Sequence, residues 1–255
     1  NASAITEMAP GYSNAYSLSL DGVNQKLTTP TAAAFDFEYN VAFSLSGWVK
    51  TTSGGYGSIV EKMTTWSGLF PNIKGWGLCM TAGKPGFWLN NSYTVNGLQA
   101  TSPNTCNDGN WHHVACAKST GYALADITIW VDGVVQTPLY KWNPTSLSAS
   151  IVVTEPVTIG TMAGDWNFLS GNVDEVSVWN KELSTPEVAE IYNSGSPPDL
   201  DTLSAAANLV GWWRMGDTFG DSADSSDASA RIYDAKNSYM TPVNTVAGDI
   251  ETDVP

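Results

Sequence analysis

The sequence is short of charge, and above all of positive charge. Only 14% of its 255 residues are Asp, Glu, Lys or Arg. Helical bundles spread many such residues over their solvent faces, so an all-helical chain is excluded. Eleven Lys and Arg stand against 25 Asp and Glu, a net charge of −14. Too few cations remain for phosphate-driven binding of nucleic acid, and an anionic membrane surface would repel the chain. No run of about 18 apolar residues occurs, which excludes a helical membrane span and membrane insertion. Residues 1–13 have neither a basic n-region nor an apolar h-region and do not read as a signal peptide. Three cysteines, Cys79, Cys106 and Cys116, show no C-x-x-C or C-x-x-H spacing. That speaks against zinc and leaves room for one disulfide at most. The two histidines, His112 and His113, are adjacent. Neighbours on a strand face opposite ways, so both cannot serve one site. No G-x-S-x-G marks a nucleophilic serine.

What is present belongs to a β protein. Gly, Ser, Thr, Asn and aromatic residues are plentiful, and Trp occurs 11 times. After an arm over residues 1–13, YSLSLDG alternates, with Tyr16, Leu18 and Leu20 on one face, and closes at Asp21-Gly22. AFSLSGWVK puts Phe43, Leu45 and Gly47 on one face and Trp48 on the other. GSIVEK, WGLCM, GFWLNN and WHHVACAK read as further short strands. In DITIWVDGVVQ, Ile127, Ile129 and Val131 share a face, and Asp132-Gly133 suits a type I′ hairpin turn. PVTIG and GNVDEVSVW follow. One helix is legible: Ser184 and Glu187 form a capping box, Pro186 sits in the first turn, Val188, Ile191 and Tyr192 line one face, and Gly195 stops it. Beyond a Pro/Asp/Ser connector, NLVGWWRMGD is strand-like. The acids after it, Asp217, Asp221, Asp224 and Asp227, lack EF-hand spacing and read as a solvated face. Short strands separated by turn signals predict an all-β sandwich with one short helix.

The order of three segments resembles a laminin-G-like domain of the concanavalin A-like lectin/glucanase superfamily. These are YSLSLDG, then WHHVA with ITIWVDGVVQ, then GNVDEVSVWNKELSTPEVAEIYNSG, together spanning residues 14–195. Leu20 stands where the family has an aromatic residue, and Cys116 where it has an aliphatic one. The resemblance implies an antiparallel two-sheet jelly roll over 14–195, with 196–255 packing on it or completing it. The tail, with LVGWWRMGD, an acidic loop and a terminal GDIETDVP, is similar to laminin-G-like proteins of marine bacteriophages. That likeness implies a non-enzymatic virion protein, a head or tail decoration or a fibre domain. Its partners would be virion proteins or cell-surface glycans, and its place a particle surface, with homo-oligomers allowed. The alternative is a secreted carbohydrate-binding module or Ca2+-dependent lectin. In the family a structural Ca2+ ties an early strand to the final one, and the matching positions are Asp21 and Asp174.

A glycoside hydrolase is the enzymatic rival. Retaining hydrolysis needs two carboxylates about 5 Å apart. Asp174 and Glu175 are adjacent in a strand-like run, which points them to opposite faces and leaves no pair. Sugar binding instead calls for loop aromatics beside amide or carboxylate groups. Trp66, Trp142 with Asn143, and Trp166 with Asn167 have that character, each also able to close a loop over the core.

Overall fold

The computed structural model describes residues 12–29, 33–64, 73–92, 96–142, 147–218, 221–223, 225–226, 232–234, 236 and 238–255, with backbone alone at 140–142, 233–234 and 238. The strands run in chain order β1 (Ser17–Asp21), β2 (Lys26–Thr28), β3 (Phe43–Lys50), β4 (Tyr56–Met63) and β5 (Gly75–Thr81). Next come β6 (Lys84–Ser92), β7 (Asn96–Thr101), β8 (Trp111–Lys118), β9 (Ile127–Val131) and β10 (Val134–Val135). Then follow β11 (Leu139–Trp142), β12 (Thr158–Ile159), β13 (Thr161–Met162), β14 (Asn167–Phe168) and β15 (Ser170–Trp179). Helix α1 (Thr185–Tyr192) precedes β16 (Leu209–Trp213), β17 (Ile232–Asp234), β18 (Ser238–Val243) and β19 (Ile250–Glu251).

Two antiparallel sheets face each other. The first pairs β10–β9–β8–β3–β15, with β15 also joined to β1 and β16. The second runs β11–β7–β6–β5–β4–β12–β2. Strand β18 belongs to both: Ser238–Met240 pair with β17, and Thr241–Val243 pair with β2. β19 lies on β1. This is the expected sandwich.

The alternation explains the layers. Phe43, Leu45, Val114, Cys116, Ile127, Ile129, Val176 and Val178 fill the space between the sheets with Leu78, Phe87, Leu89 and Leu98 from the other side. Gly47 lies in this core because a Cβ there would press on Ile59 and Val176, about one methyl group away. Asp132 and Gly133 both take positive φ, as the β9–β10 turn requires. Tyr16 departs from the expected face: it precedes β1 and is exposed.

The outer face of the first sheet is roofed by α1. Trp130, Trp179, Trp212, Leu183, Val188, Ile191 and Leu200 form a second apolar cluster there. Its polar groups are paired: Ser46 and Ser177 hydroxyls lie 2.7 Å apart, and Trp179 Nε1 donates to Ser177 at 2.9 Å. The capping box forms as expected. The helix ends at Tyr192, three residues before Gly195, and the next residue, Asn193, takes the left-handed conformation with φ 43°. Asparagine tolerates that region well enough to make glycine unnecessary. All three cysteines are buried and unbonded to one another.

Candidate functional site

The outer face of the second sheet carries polar and aromatic side chains. Alternation along β4 to β7 puts Glu61, Cys79, Trp88, Asn90 and Gln99 there, and all are buried. A hairpin of β13 and β14 covers part of this face. Met162, Ala163 and the half-buried Trp166 pack on Met63, Cys79 and Trp88. Glu61 bolts the hairpin down. Its carboxylate accepts from Ser58 Oγ at 2.7 Å, and the amides of Ala163 and Gly164 lie against it. Burial pushes its pKa up to about 8, more than these donors pull it down.

Beside the hairpin opens a pocket of about 360 Å³, lined by Lys26, Thr28, Met63, Glu155, Pro156, Thr158, Gly164 and Val243. Apolar Met63, Pro156 and Val243 line it together with two threonines, a lysine and a glutamate. Lys26 also pairs with Asp165 at the hairpin tip. Threonines on β2 and β12 meet here because Thr28 and Thr158 are register partners.

A second cluster lies at the rim of the first sheet. Asp174, Glu175 and Asp217 bring carboxylate oxygens within 4.8 Å of one another. This corrects the expectation that Asp174 and Glu175 point apart. A bulge against β3 falls between Asp174 and Ser177, and Glu175 has φ 49°. That turn of the backbone swings both side chains toward one place. Asp217 is corrected too. It is no solvated loop acid: its oxygens accept from the amides of Ala15, at 3.0 Å, and Tyr16, at 3.2 Å.

Glu175 is fully engaged. It accepts from Arg214 Nε at 3.2 Å, Tyr12 Oη at 3.4 Å and Trp212 Nε1. The Arg214 guanidinium lies 4.6 Å over the Tyr12 ring and 5.2 Å over Trp212. Asp174 is less well served. Oδ1 accepts the Glu175 amide at 2.7 Å, and the Asn14 side chain bonds the same carboxyl. Burial, then the Glu175 charge, drives the Asp174 pKa well above the usual carboxylate range. Burial lifts Glu175 to about 7 against the pull of Arg214.

Asp21 and Asp174 do not share a site, which corrects the expected ion pair of ligands. Asp21 stands opposite Ser170, and Leu18 opposite Val173. Asp174 is therefore four residues along the ladder, roughly 13 Å away. Asp21 caps its own turn, accepting from Val23 at 2.8 Å and Asn24 at 3.3 Å. Trp166 and Asn167 lie on the β13–β14 hairpin, Trp166 packed as above and Asn167 paired with Met162. Trp142 stands on β11 opposite Gln99. Trp66, Asn143 and the side chain of Trp142 lie outside the described residues. Sequence reasoning missed Lys26, Thr28, Glu155 and Thr158, and it missed Asn14, Asp217 and Arg214 as companions of Asp174.

A laminin G family model, described as the concanavalin A-like lectin/glucanases superfamily, matches residues 21–189. None of the curated proteins matches the sequence. Among solved structures, the chain is similar to a protein from Bacteroides ovatus ATCC 8483 assigned provisionally to carbohydrate binding, at 14% identity and TM-score 0.59. That match covers 94% of this chain and 60% of the other, so the chain spans less than two thirds of that protein. It is also similar to the CBM40 of the Ruminococcus gnavus IT-sialidase, at 15% identity and TM-score 0.50, covering 71% of this chain and all of the other. At such identities the likeness speaks for the fold. With the family model spanning most of the chain and the two-sheet sandwich in place, the chain belongs to the concanavalin A-like lectin/glucanases superfamily.

Proposed function

We propose that the chain is a carbohydrate-binding module that takes one or two sugar units in the pocket beside the β13–β14 hairpin. The pocket's mixed lining carries this reading. A pyranose has an apolar face and a polar rim, and Met63, Pro156 and Val243 suit the face. Thr28, Lys26 and Glu155 offer polar groups for its hydroxyls, beside Thr158, whose side chain bonds Glu61. A volume of about 360 Å³ lies at the small end of ligand pockets. The two solved relatives assigned to carbohydrate binding lend support through their fold. The reading is non-enzymatic. Glu61 is held by the Ser58 hydroxyl of its own strand and by the Ala163 and Gly164 amides of the hairpin, and the converging carboxylates of Asp174, Glu175 and Asp217 lie on β15 and the turn after β16, outside the pocket's lining. On the particle surface implied by the tail's resemblance, many copies would turn a weak site into firm attachment.

A glycan array probed with the wild type and with Thr158→Val and Lys26→Ala tests this. Binding to a defined set of glycans, weakened roughly tenfold by either change for a loss of about 1.4 kcal/mol, supports the pocket. Binding that neither change affects sinks the assignment of the site, and absence of binding to all glycans by folded protein sinks the function.

A further inference from the structure

We propose that the pocket beside the β13–β14 hairpin selects sugars that carry a free amine, with the ammonium meeting Glu155. This rests on the reading of that pocket as a sugar site and adds the class of sugar. The strand register separates the pocket's two charges. On β2, Lys26 stands level with Val243 of β18. On the other side of β2, Thr28 and Leu27 pair with Thr158 and Ile159. Thr29 donates its amide to Val157 and accepts the Val157 amide at its hydroxyl. The chain leading into β12 therefore runs from Glu155 toward the Lys26 end, a span of roughly 16 Å at about 3.3 Å per residue. Thr158 also pairs with Glu61 of antiparallel β4, which sets Met63 level with Pro156. Met63 and Pro156 thus wall the Glu155 end, and Val243 walls the other.

The charges differ in what they already touch. The Lys26 ammonium is committed to Asp165. Lys62 reaches the carbonyl of Val153, two residues before Glu155, but its charge is held by Asp36 at 2.5 Å. The Thr158 hydroxyl bonds Glu61, and burial keeps Glu61 a neutral acid up to about pH 8. Glu155 is half-buried in the lining, and among the described residues it has no hydrogen bond or ion pair. Of the two charged side chains in the lining, only this carboxylate is without a partner.

A carboxylate beside apolar walls keeps only part of its water, and an ammonium brought to it forms a charge-assisted hydrogen bond. Such bonds are roughly twice as strong as neutral ones. A sugar hydroxyl offers Glu155 only the neutral bond, and a sugar carboxylate is repelled. A sugar amine, with a pKa of about 8 like an α-amino group, is charged at pH 6. The ring of the same sugar can lie on Met63 and Pro156 while its far hydroxyls reach toward Thr28 and Lys26. The net charge of −14 draws a cationic ligand in over longer range.

NMR titration of the full chain at pH 6 is the test, with the methyl glycosides of glucosamine, galactosamine and mannosamine set against those of the parent hexoses. At least one amine should bind roughly tenfold tighter than its hexose, the gain of a charge-assisted bond over a neutral one. N-acetylation of that amine should abolish the advantage. Glu155→Gln removes the charge with little change of size, and should bring the ratio of amine to hexose affinity close to one. Glu182→Gln, at an exposed acid just before α1, should leave the ratio as in the wild type. An equal fall in both variants would trace the preference to overall charge and overturn the proposal. An unchanged ratio in Glu155→Gln would do the same. Hexoses that bind in the pocket while amines bind no tighter would overturn the amine preference and leave the sugar pocket standing. If neither amines nor hexoses bind the folded chain, both readings fall.

Discussion

The two outer faces of the sandwich are covered in opposite ways. On the first sheet, helix α1 and the segments on either side of it lay Leu183, Val188, Ile191 and Leu200 over three tryptophans. Serines beneath them are paired with each other and with Trp179. On the second sheet, a hairpin of two two-residue strands covers a face that holds Glu61, Asn90 and Gln99, with an open pocket at its side. The difference teaches where each kind of energy is spent. One face is closed by apolar area and contributes stability. The other keeps polar groups at hand and remains partly open, as a binding surface must.

The comparison breaks most easily at Trp179. Its side chain is fully buried in the helix-covered cluster. Trp179→Ala should cost about 3–5 kcal/mol, the loss of a large core aromatic, measured by urea denaturation. A loss below about 1 kcal/mol would mean that the helix is not a stabilising roof.

Next in size is the buried acid of the open face. Unfolded, Glu61 titrates near 4.5, and folded near 8. Between these values the native state keeps a proton that the unfolded chain has lost. Stability therefore falls as pH rises through this window, by up to about 1.4 kcal/mol per unit, and levels off above it. Glu61→Gln keeps a neutral acceptor under the hairpin and should flatten that fall in urea midpoints taken across the window. An unchanged slope would show that Glu61 does not bolt the hairpin as a neutral acid.

An effect of opposite sign, over a pH span of similar width, belongs to the closed face. His113 is fully buried between Trp48 and Tyr192, and neither ring nitrogen has a hydrogen bond. Burial lowers its pKa to about 3. As pH falls from 6.5 toward 3 the unfolded chain gains a proton that the native state refuses, so stability is lost on the acid side. His113→Leu removes an unpaired polar group and should raise stability by about 1 kcal/mol near neutral pH, and by more at lower pH. Equal acid sensitivity in wild type and variant would assign the loss to other groups.

Much of the closed face was legible in the sequence. Alternation in β3 and β9, the Asp132-Gly133 turn and the Ser184–Glu187 box are local patterns, and local patterns survive in a linear chain. The sites were less legible for a physical reason. Glu175 takes positive φ without being glycine, and nothing in NVDEVSVW marks that bulge, so adjacent carboxylates were expected to diverge. Ala15 and Asp217 stand 202 residues apart, and their contact has no trace in spacing. Thr28 and Thr158 are ordinary strand residues until register makes them face one pocket. Trp166, by contrast, was singled out for its neighbours, Asp165 and Asn167, and the hairpin they form does border the pocket through Gly164.

The smallest expected change in stability should accompany the largest change in binding, and Lys26 is where the two separate. It lines the pocket and pairs with Asp165, whose side chain is 64% exposed. Exposed ion pairs are worth about 0–1 kcal/mol. Lys26→Ala should thus leave the urea midpoint nearly unchanged while removing an ammonium from the pocket's lining. Paired measurement of unfolding and glycan affinity on the same protein sharpens the contrast between the faces. If Lys26→Ala unfolds the chain as Trp179→Ala does, the pocket is part of the scaffold. If it alters affinity alone, the open face is where the sandwich meets its ligand.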